Sequence, residues 1–324
     1  MKILFIGGTG VISSACSELA LARGIELVLL NRGESVRPPP AGARVLHADI
    51  RDAVGAATVL DGQRFDVVVD WIAFTPDQVA ADIALFRGRI GQYIFISSAA
   101  AYEKPPSSLP ITETTPLGNP YWTYAANKIA CEGLLQHAYR SDQFPATIVR
   151  PSHTYDRTML PTAGRYTSLA RMRRGKPVVI HGDGTSTWVL THHRDFAVGF
   201  VGLLGNTAAV GEAFHITSDE LLTWNQIYTI VGRAAGVEPK LVHIPSDVIA
   251  RHDPEWGAGL LGDKAHSVIF DNSKIKRFVP DFAPSIPFSR GAEEIMAWYD
   301  ADPARQRVDA RLDALMDELI GKWG

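Results

Sequence analysis

Tyr124-Ala125-Ala126-Asn127-Lys128 sets a phenol and an ammonium four positions apart, and on a helix such positions share a face. A tyrosine at its ordinary pKa, about 10, is a poor base at neutral pH. A lysine cation alongside stabilises the phenolate and draws the phenol toward the working range. Upstream, Ser98 closes the apolar run Phe95-Ile96-Ser97-Ser98, where its hydroxyl can hold a substrate hydroxyl or carbonyl. Together these groups suit proton transfer at a carbinol carbon. Tyr-x-x-x-Lys by itself is common on solvated helix faces, so the chemistry needs a hydride partner.

Gly7-Gly8-Thr9-Gly10-Val11-Ile12-Ser13 supplies the place for one. It follows the apolar run Ile3–Ile6 and precedes a helical pattern in which Ala15, Leu19 and Ala22 share a face. An isolated Gly-x-x-Gly is usually only a tight turn; between a strand and a helix it signals dinucleotide binding. Gly7 permits the turn, Gly10 has no Cβ to block a pyrophosphate, and the helix N-terminus offers amide donors to the anion. Thr9, Val11 and Ile12 are assigned to the cofactor with them. The second strand ends Leu29-Leu30-Asn31-Arg32-Gly33. Neutral Asn31 replaces the acid that repels a 2′-phosphate, and Arg32, with Arg37 assisting, can pair with one. NADP is therefore preferred over NAD. Asp49 and Ile50, just past the third strand, are placed at the adenine; a helix-capping role explains Asp49 equally well.

Short apolar runs at Ile25–Leu30, Ala43–Leu46, Val67–Val69, Tyr93–Ser97 and Thr147–Arg150 alternate with helical segments. That alternation predicts an α/β chain with a Rossmann-type, doubly wound parallel sheet. Further strands are expected at Val178–His181 and Ala213–Ile216, and a helix at Trp224–Ala235. Residues 1–175 form the expected dinucleotide-binding domain. Residues 176–324 form mainly a smaller C-terminal substrate-binding lobe, with some segments returning to the sheet. The stretch 236–290, rich in Pro, Gly and His, is expected to build the substrate side of a cleft. Val308, Leu312, Leu315, Leu319 and Trp323 form a stripe on the last helix suited to core or dimer packing.

Composition narrows the classes. A net charge of −3 gives no long-range pull toward nucleic acid or anionic membrane. Cys16 and Cys131 are the only cysteines, which excludes a disulfide framework and a cysteine metal site. The N-terminal apolar run is cut short by glycine, unlike a signal peptide, and no stretch spans a bilayer. A cytoplasmic protein is expected. His181, His192, His193 and Asp195 match no zinc spacing, so no metal is assigned.

With Phe95–Tyr102, Arg150-Pro151, Gly182-Asp183-Gly184, His192–Asp195 and Phe270–Lys274 added to the glycine loop and Tyr-x-x-x-Lys, nearly the whole chain resembles the extended short-chain dehydrogenase/reductase superfamily. Its Asn-Arg-Gly ending of strand two is most similar to bacterial epimerase-like members related to chloroplast stem-loop-binding proteins. The resemblance implies Ser98, Tyr124 and Lys128 as the catalytic triad. It places Pro151 and following residues, including His153, along the nicotinamide, with Ala73 also at the cofactor, and His192 and Trp188 beside the substrate. Four departures stand out. Ser13 replaces a third glycine, Asp70–Gly91 is short and lacks the family's Asn-containing helix motif, and Glu103 rather than glycine follows Tyr102. Trp188 stands where nucleotide-sugar enzymes carry an arginine for the substrate diphosphate, leaving Arg157, Arg165 or Arg171 to compensate.

The expected activity is epimerisation of a sugar or nucleotide sugar by hydride transfer, with Tyr124 as acid/base. Reduction of a small or sugar-like carbonyl by NADPH is the alternative. Ala99-Ala100 after Ser98 lack the carboxylates that dehydration requires. A non-catalytic NADP-sensing or RNA-binding role is the rival from another class, opposed by the acidic net charge and the absence of a dense basic patch. The resemblance also leaves room for a homodimer.

Overall fold

Alternate residues of the first apolar run face opposite ways. Ile3 and Phe5 enter one core and Leu4 and Ile6 another, the period-two pattern of a strand covered on both faces. The structure, a computed structural model, describes residues 1–324. In chain order β1 (Lys2–Ile6), α1 (Ser13–Ala22), β2 (Glu26–Asn31), β3 (Arg44–His47), α2 (Ala53–Val59), β4 (Val67–Asp70), α3 (Pro76–Phe86), β5 (Gln92–Ile96), α4 (Thr123–Asp142) and β6 (Ala146–Pro151) alternate. They are followed by β7 (His153–Tyr155), α5 (Tyr166–Arg173), β8 (Val178–His181), β9 (Thr187–Trp188), β10 (Leu190–His192), α6 (His193–Val201) and β11 (Ala213–Ile216). The remainder holds β12 (Leu222–Thr223), α7 (Trp224–Ala234), β13 (Leu241–Ile244), α8 (Ser246–His252), α9 (Pro254–Gly259), α10 (Ser273–Phe278), α11 (Phe288–Asp300) and α12 (Ala310–Trp323).

Seven parallel strands form the central sheet in the order β11-β6-β5-β4-β1-β2-β3. The chain reverses its direction of growth between β1 and β4, and a crevice opens there at the carboxyl ends of the strands. The Rossmann-type expectation is met. β11 returns to the sheet edge beside β6, and α6 packs Phe196 and Phe200 into the same core as Ala15 and Cys16 of α1. Outside the sheet, the two-stranded pairs β7–β10, β9–β12 and β8–β13 surround a separate core containing Trp188, Trp224 and Phe288.

The short stretch after β4 is organised by carboxyl groups. Asp70 accepts from the amides of Ile72 and Ala73 at 2.5 and 2.8 Å, fixing the turn. Pro76 and a reciprocal Thr75–Gln78 cap then start α3, as such a capping pair does. Asp82 on α3 accepts from the Tyr93 hydroxyl at 2.5 Å. Burial and the neighbouring Asp70 carboxyl push the Asp82 pKa well up.

The final helix corrects the expected stripe. Leu312, Leu315, Met316 and Leu319 pack against Val179, Ile244 and Val248, whereas Val308 precedes the helix and is exposed, as is Trp323 at its end. Arg171 is fully buried and pairs with Asp313 and Asp317 of α12 at 2.6 and 2.7 Å. It ties α5 to α12 and cannot serve a substrate diphosphate.

One buried ion pair orients the helix that carries Tyr124 and Lys128. Glu132, one turn beyond Lys128, receives Arg150 of β6 through both carboxylate oxygens, at 3.0 and 2.6 Å. It also accepts from Ser97 Oγ at 2.5 Å. Glu132 is wholly buried and Arg150 nearly so. Replacing Glu132 with Ala strands a guanidinium in the interior and is expected to cost about 3–5 kcal/mol of folding stability. Urea denaturation measures this, with Glu132→Gln losing less; an Ala variant as stable as wild type would contradict the assignment.

Candidate active site

The glycine turn follows directly from β1. Gly7 and Gly8 have φ of +99° and +94°, a region side-chain-bearing residues rarely adopt. A Cβ on Gly8 would also lie 2.7 Å from Leu29. Ser13, the departure from the usual third glycine, has a job of its own: its Oγ accepts from the Gly10 amide at 2.8 Å. The amides of Val11 and Ile12 have no acceptor in the chain, leaving donors for an anion at the start of α1.

A cavity of about 660 Å³ runs from this turn to the chemical groups. Gly7, Thr9, Gly10, Val11, Ile12, Asn31, Arg32, Asp49, Ile50, Ser98, Tyr124, Lys128 and Pro151 all line it. The structure therefore brings most of the cofactor and triad positions into one groove. At its far end Arg32 sits between Glu34 at 3.0 Å and Asp49 at 3.8 Å. Asn31 Oδ1 accepts from the Gly33 amide at 3.0 Å, and Asp49 from the Arg51 amide at 2.9 Å. Arg37 takes a different part from the one expected. Its guanidinium donates to Gly10 O and Ser14 Oγ at 2.8 and 2.6 Å and pairs with buried Asp156 at 2.5 Å. It straps the loop after β2 across the glycine turn to the segment after β7.

Three assigned residues lie elsewhere. Ala73 is buried behind the groove, where its carbonyl accepts from Lys128 Nζ at 2.7 Å. His153 faces away from the groove, because the turn after Pro151 directs its ring toward Trp188, whose Nε1 donates to His153 Nδ1 at 3.1 Å. His192 reaches neither the groove nor the neighbouring cavities. It caps α6 through the Arg194 amide, and its Nε2 meets Glu294 at 3.3 Å.

The chemical groups converge at the end of the groove. Ser98 Oγ accepts from the Ala100 amide at 3.1 Å, which fixes it at the strand end. Burial raises the Tyr124 phenol above its usual value; the adjoining Ser98 hydroxyl lowers it and the Asp263 carboxylate raises it further. Lys128 does not by itself draw the phenol down, as the spacing suggested. Its Nζ donates to the carbonyls of Ala73 and Ile96, each at 2.7 Å, and stands over the rings of Phe74 and Phe95. Burial lowers its pKa to about 8.

Tyr124 and Ser98 also border a second space of about 380 Å³, lined by Trp122, His153, Trp188, Asp263, Lys264 and Phe270. Through His153, Met159 and Lys264 it adjoins a further cavity of about 620 Å³. Asp253, Glu255 and Trp256 reach that cavity from the stretch expected to build the substrate side. Asp263 is paired with buried Lys104 at 3.3 Å. Lys264, Trp122 and Asp263 carry no local sign of a site: Lys264 and Tyr124 lie 140 positions apart and meet only through folding.

The depressed Lys128 pKa has a sign. Between pH 8 and its unfolded value the folded chain holds fewer protons than the unfolded one, so this group adds stability as pH rises. In urea titrations, wild type is expected to gain roughly 1–3 kcal/mol on Lys128→Met between pH 7 and pH 10. Parallel stability curves would show that Lys128 titrates normally.

Comparison with known proteins agrees with this architecture. Residues 3–217 match the model of the NAD dependent epimerase/dehydratase family. A 2'-dehydrokanamycin reductase from Streptomyces kanamyceticus is 26% identical over 332 residues, covering 98% of this chain and 90% of that protein. The chloroplast stem-loop binding protein of 41 kDa b from Arabidopsis thaliana is 27% identical, over 75% of this chain and 65% of its own length. The crystal structure of UDP-glucuronic acid 4-epimerase from Bacillus cereus with UDP-glucuronic acid and NAD superposes with a TM-score of 0.74. It is 19% identical and covers 93% of this chain and 99% of its own. The chain is an enzyme of the NAD-dependent epimerase/dehydratase family, within the extended short-chain dehydrogenase/reductases.

Proposed function

We propose that this enzyme transfers hydride at a carbinol carbon of a sugar or sugar derivative, with Tyr124 as acid/base, and that it acts as an epimerase. The carrying observation is that Tyr124 and Ser98 border both the dinucleotide groove and the adjoining space, so one phenol can reach a substrate beside the cofactor. Free amides at Val11 and Ile12 and the close Gly8–Leu29 approach fit a pyrophosphate cradle. The dinucleotide, when bound, supplies the hydride acceptor and the positive charge of its oxidised ring. Ser98 holds the substrate oxygen. Tyr124 takes the hydroxyl proton as the carbinol becomes a ketone and returns it on reduction. Lys128 keeps its ammonium beside the phenol, 5.9 Å from the centroid of the Tyr124 ring, and the Ser98 hydroxyl is the group that opposes the effect of burial on it.

The Arg37–Asp156 strap supports epimerisation, because a cofactor held in place can return hydride to the opposite face of the same ketone. Simple carbonyl reduction is the second reading, favoured by the reductase that matches 98% of this chain. Dehydration is disfavoured: Ala99 and Ala100 follow Ser98, and the one carboxylate in the space, Asp263, is engaged by Lys104.

Two measurements test this reading. Tyr124→Phe is expected to leave dinucleotide affinity unchanged while lowering turnover by about 10²–10⁴; an unaffected rate would remove Tyr124 from the chemistry. NADP is proposed as the cofactor, with Arg32 exchanging Glu34 for the 2′-phosphate. Arg32→Ala is then expected to weaken NADP binding by about tenfold or more, with little effect on NAD. Equal losses for both cofactors would refute the preference.

A further inference from the structure

Buried charges of opposite sign lie on either side of Ala73. On one side is Lys128, whose ammonium is held by the Ala73 and Ile96 carbonyls and the faces of Phe74 and Phe95. Glu132, the acid one turn further along α4, belongs to Arg150. On the other side are Asp70, the last residue of β4, and Asp82 of α3, both buried. Ala73 joins the two. Its amide donates to Asp70 Oδ1 at 2.8 Å, and its carbonyl accepts from Lys128 Nζ at 2.7 Å. The Ile72 amide donates to the same Asp70 oxygen at 2.5 Å.

The two carboxyls are hydrogen-bonded to each other, and carboxyls in contact in a dry interior do not both ionise. One proton lies between them, and their surroundings decide which acid keeps it. Asp70 faces two backbone amides, which can only donate and so favour a carboxylate. Burial raises its pKa, while Asp82, the two amides and Lys128 all pull it back. Asp82 faces the Tyr93 hydroxyl, and burial and the Asp70 charge push its pKa well up. Asp82 is therefore the acid and Asp70 the carboxylate it donates to. The other titratable groups nearby carry no free charge. Burial raises the Cys131 thiol to about 11 and the Tyr124 and Tyr93 phenols above their usual range. Asp70 is left as the unpaired negative charge beside the ammonium.

We infer that Asp70, held ionised by the Ile72 and Ala73 amides and by the proton on Asp82, is a positioning residue for Lys128. It orients the carbonyl that grips Nζ, and it supplies the buried counter-charge that keeps the ammonium protonated beside Tyr124 at neutral pH. The Asp82–Tyr93 contact anchors that charge to α3 and β5. The short Asp70–Gly91 stretch, a departure from the family pattern, thus has a use of its own, since it carries both acids. The inference rests on reading Tyr124 and Lys128 as groups of the reacting site.

Carbon-13 NMR of the full chain labelled at lysine Cε tests it, with the Lys128 resonance identified by its absence from Lys128→Met. In the double variant Asp70→Asn/Asp82→Asn, the Lys128 titration midpoint is expected to fall by about one pH unit, a tenfold change in proton affinity. Asp82→Asn alone is expected to keep the wild-type midpoint, because its amide can still donate to Asp70. Asp70→Asn alone still accepts from both backbone amides but passes the charge to Asp82, and a smaller fall is expected. Circular dichroism establishes that each variant is folded. A folded double variant with the wild-type midpoint overturns the inference, as does Asp82→Asn lowering it as far as the double variant. Should the double variant fail to fold, an unchanged midpoint in Asp70→Asn overturns it. A merely structural role would cost stability without moving the midpoint. Nicotinamide absorbance follows turnover separately. A midpoint that moves as expected, with a wild-type rate in Tyr124→Phe, would overturn the Tyr124 reading and leave the acid pair standing. An unmoved midpoint with turnover lost in Tyr124→Phe would do the reverse.

Discussion

Glu132 and Arg150 meet in the interior where neither charge has water to fall back on. Desolvating both is costly, and only bidentate geometry with further hydrogen bonds offsets it. That geometry is present: two guanidinium nitrogens reach the carboxylate, which also accepts from Ser97. The pair joins α4 to β5 and β6, and each partner adjoins the chemistry. Ser97 precedes Ser98, Arg150 precedes Pro151, and Glu132 lies one turn beyond Lys128. The spacing between serine hydroxyl, phenol and groove wall follows from this one contact, since a misplaced helix would leave a charge unpaired.

The network continues away from the groove. Arg150 packs on the ring of Tyr102, whose hydroxyl meets His215 Nδ1 at 2.9 Å, and His215 Nε2 meets the Asp271 carbonyl at 2.8 Å. The sheet edge formed by β11 is thereby tied to the residues behind the reacting groups. Lys128 is constrained from the other side, by carbonyls at the ends of the β4 and β5 segments. Its ammonium is held by backbone oxygens rather than by a carboxylate.

The two halves of the cleft are built on different principles. The groove consists of strand ends, a glycine turn and backbone amides, all positioned by the parallel sheet. The adjoining space is assembled from the β7, β9, α4 and Leu260–Lys264 segments, with aromatic walls. Arg37 and Asp156 bridge the halves across the glycine turn. Their contact links cofactor enclosure to the segment that leads into the outer cavity.

The sheet, the glycine turn and the Tyr124–Lys128 pair were legible in the chain because each depends on neighbours a few positions away. Two-residue alternation makes a strand, positive φ requires glycine, and i to i+4 places side chains together. The placement of His192, His153 and Ala73 was not legible, because local position says where a residue begins and not which way a turn aims it. The expected stripe enters the core at Leu312, Leu315 and Leu319 but not at Val308 and Trp323, which stay exposed in the single chain. Arg171 and Lys264 show the division most clearly. Both are ordinary cations in the sequence; one is neutralised by α12 and the other held unpaired between two indoles. The sequence alone determined the elements and the glycine turn, which arise from short-range sterics and hydrogen bonding. Tertiary structure alone decided which charges are paired and which stand free, because pairing and desolvation depend on residues far away in the chain.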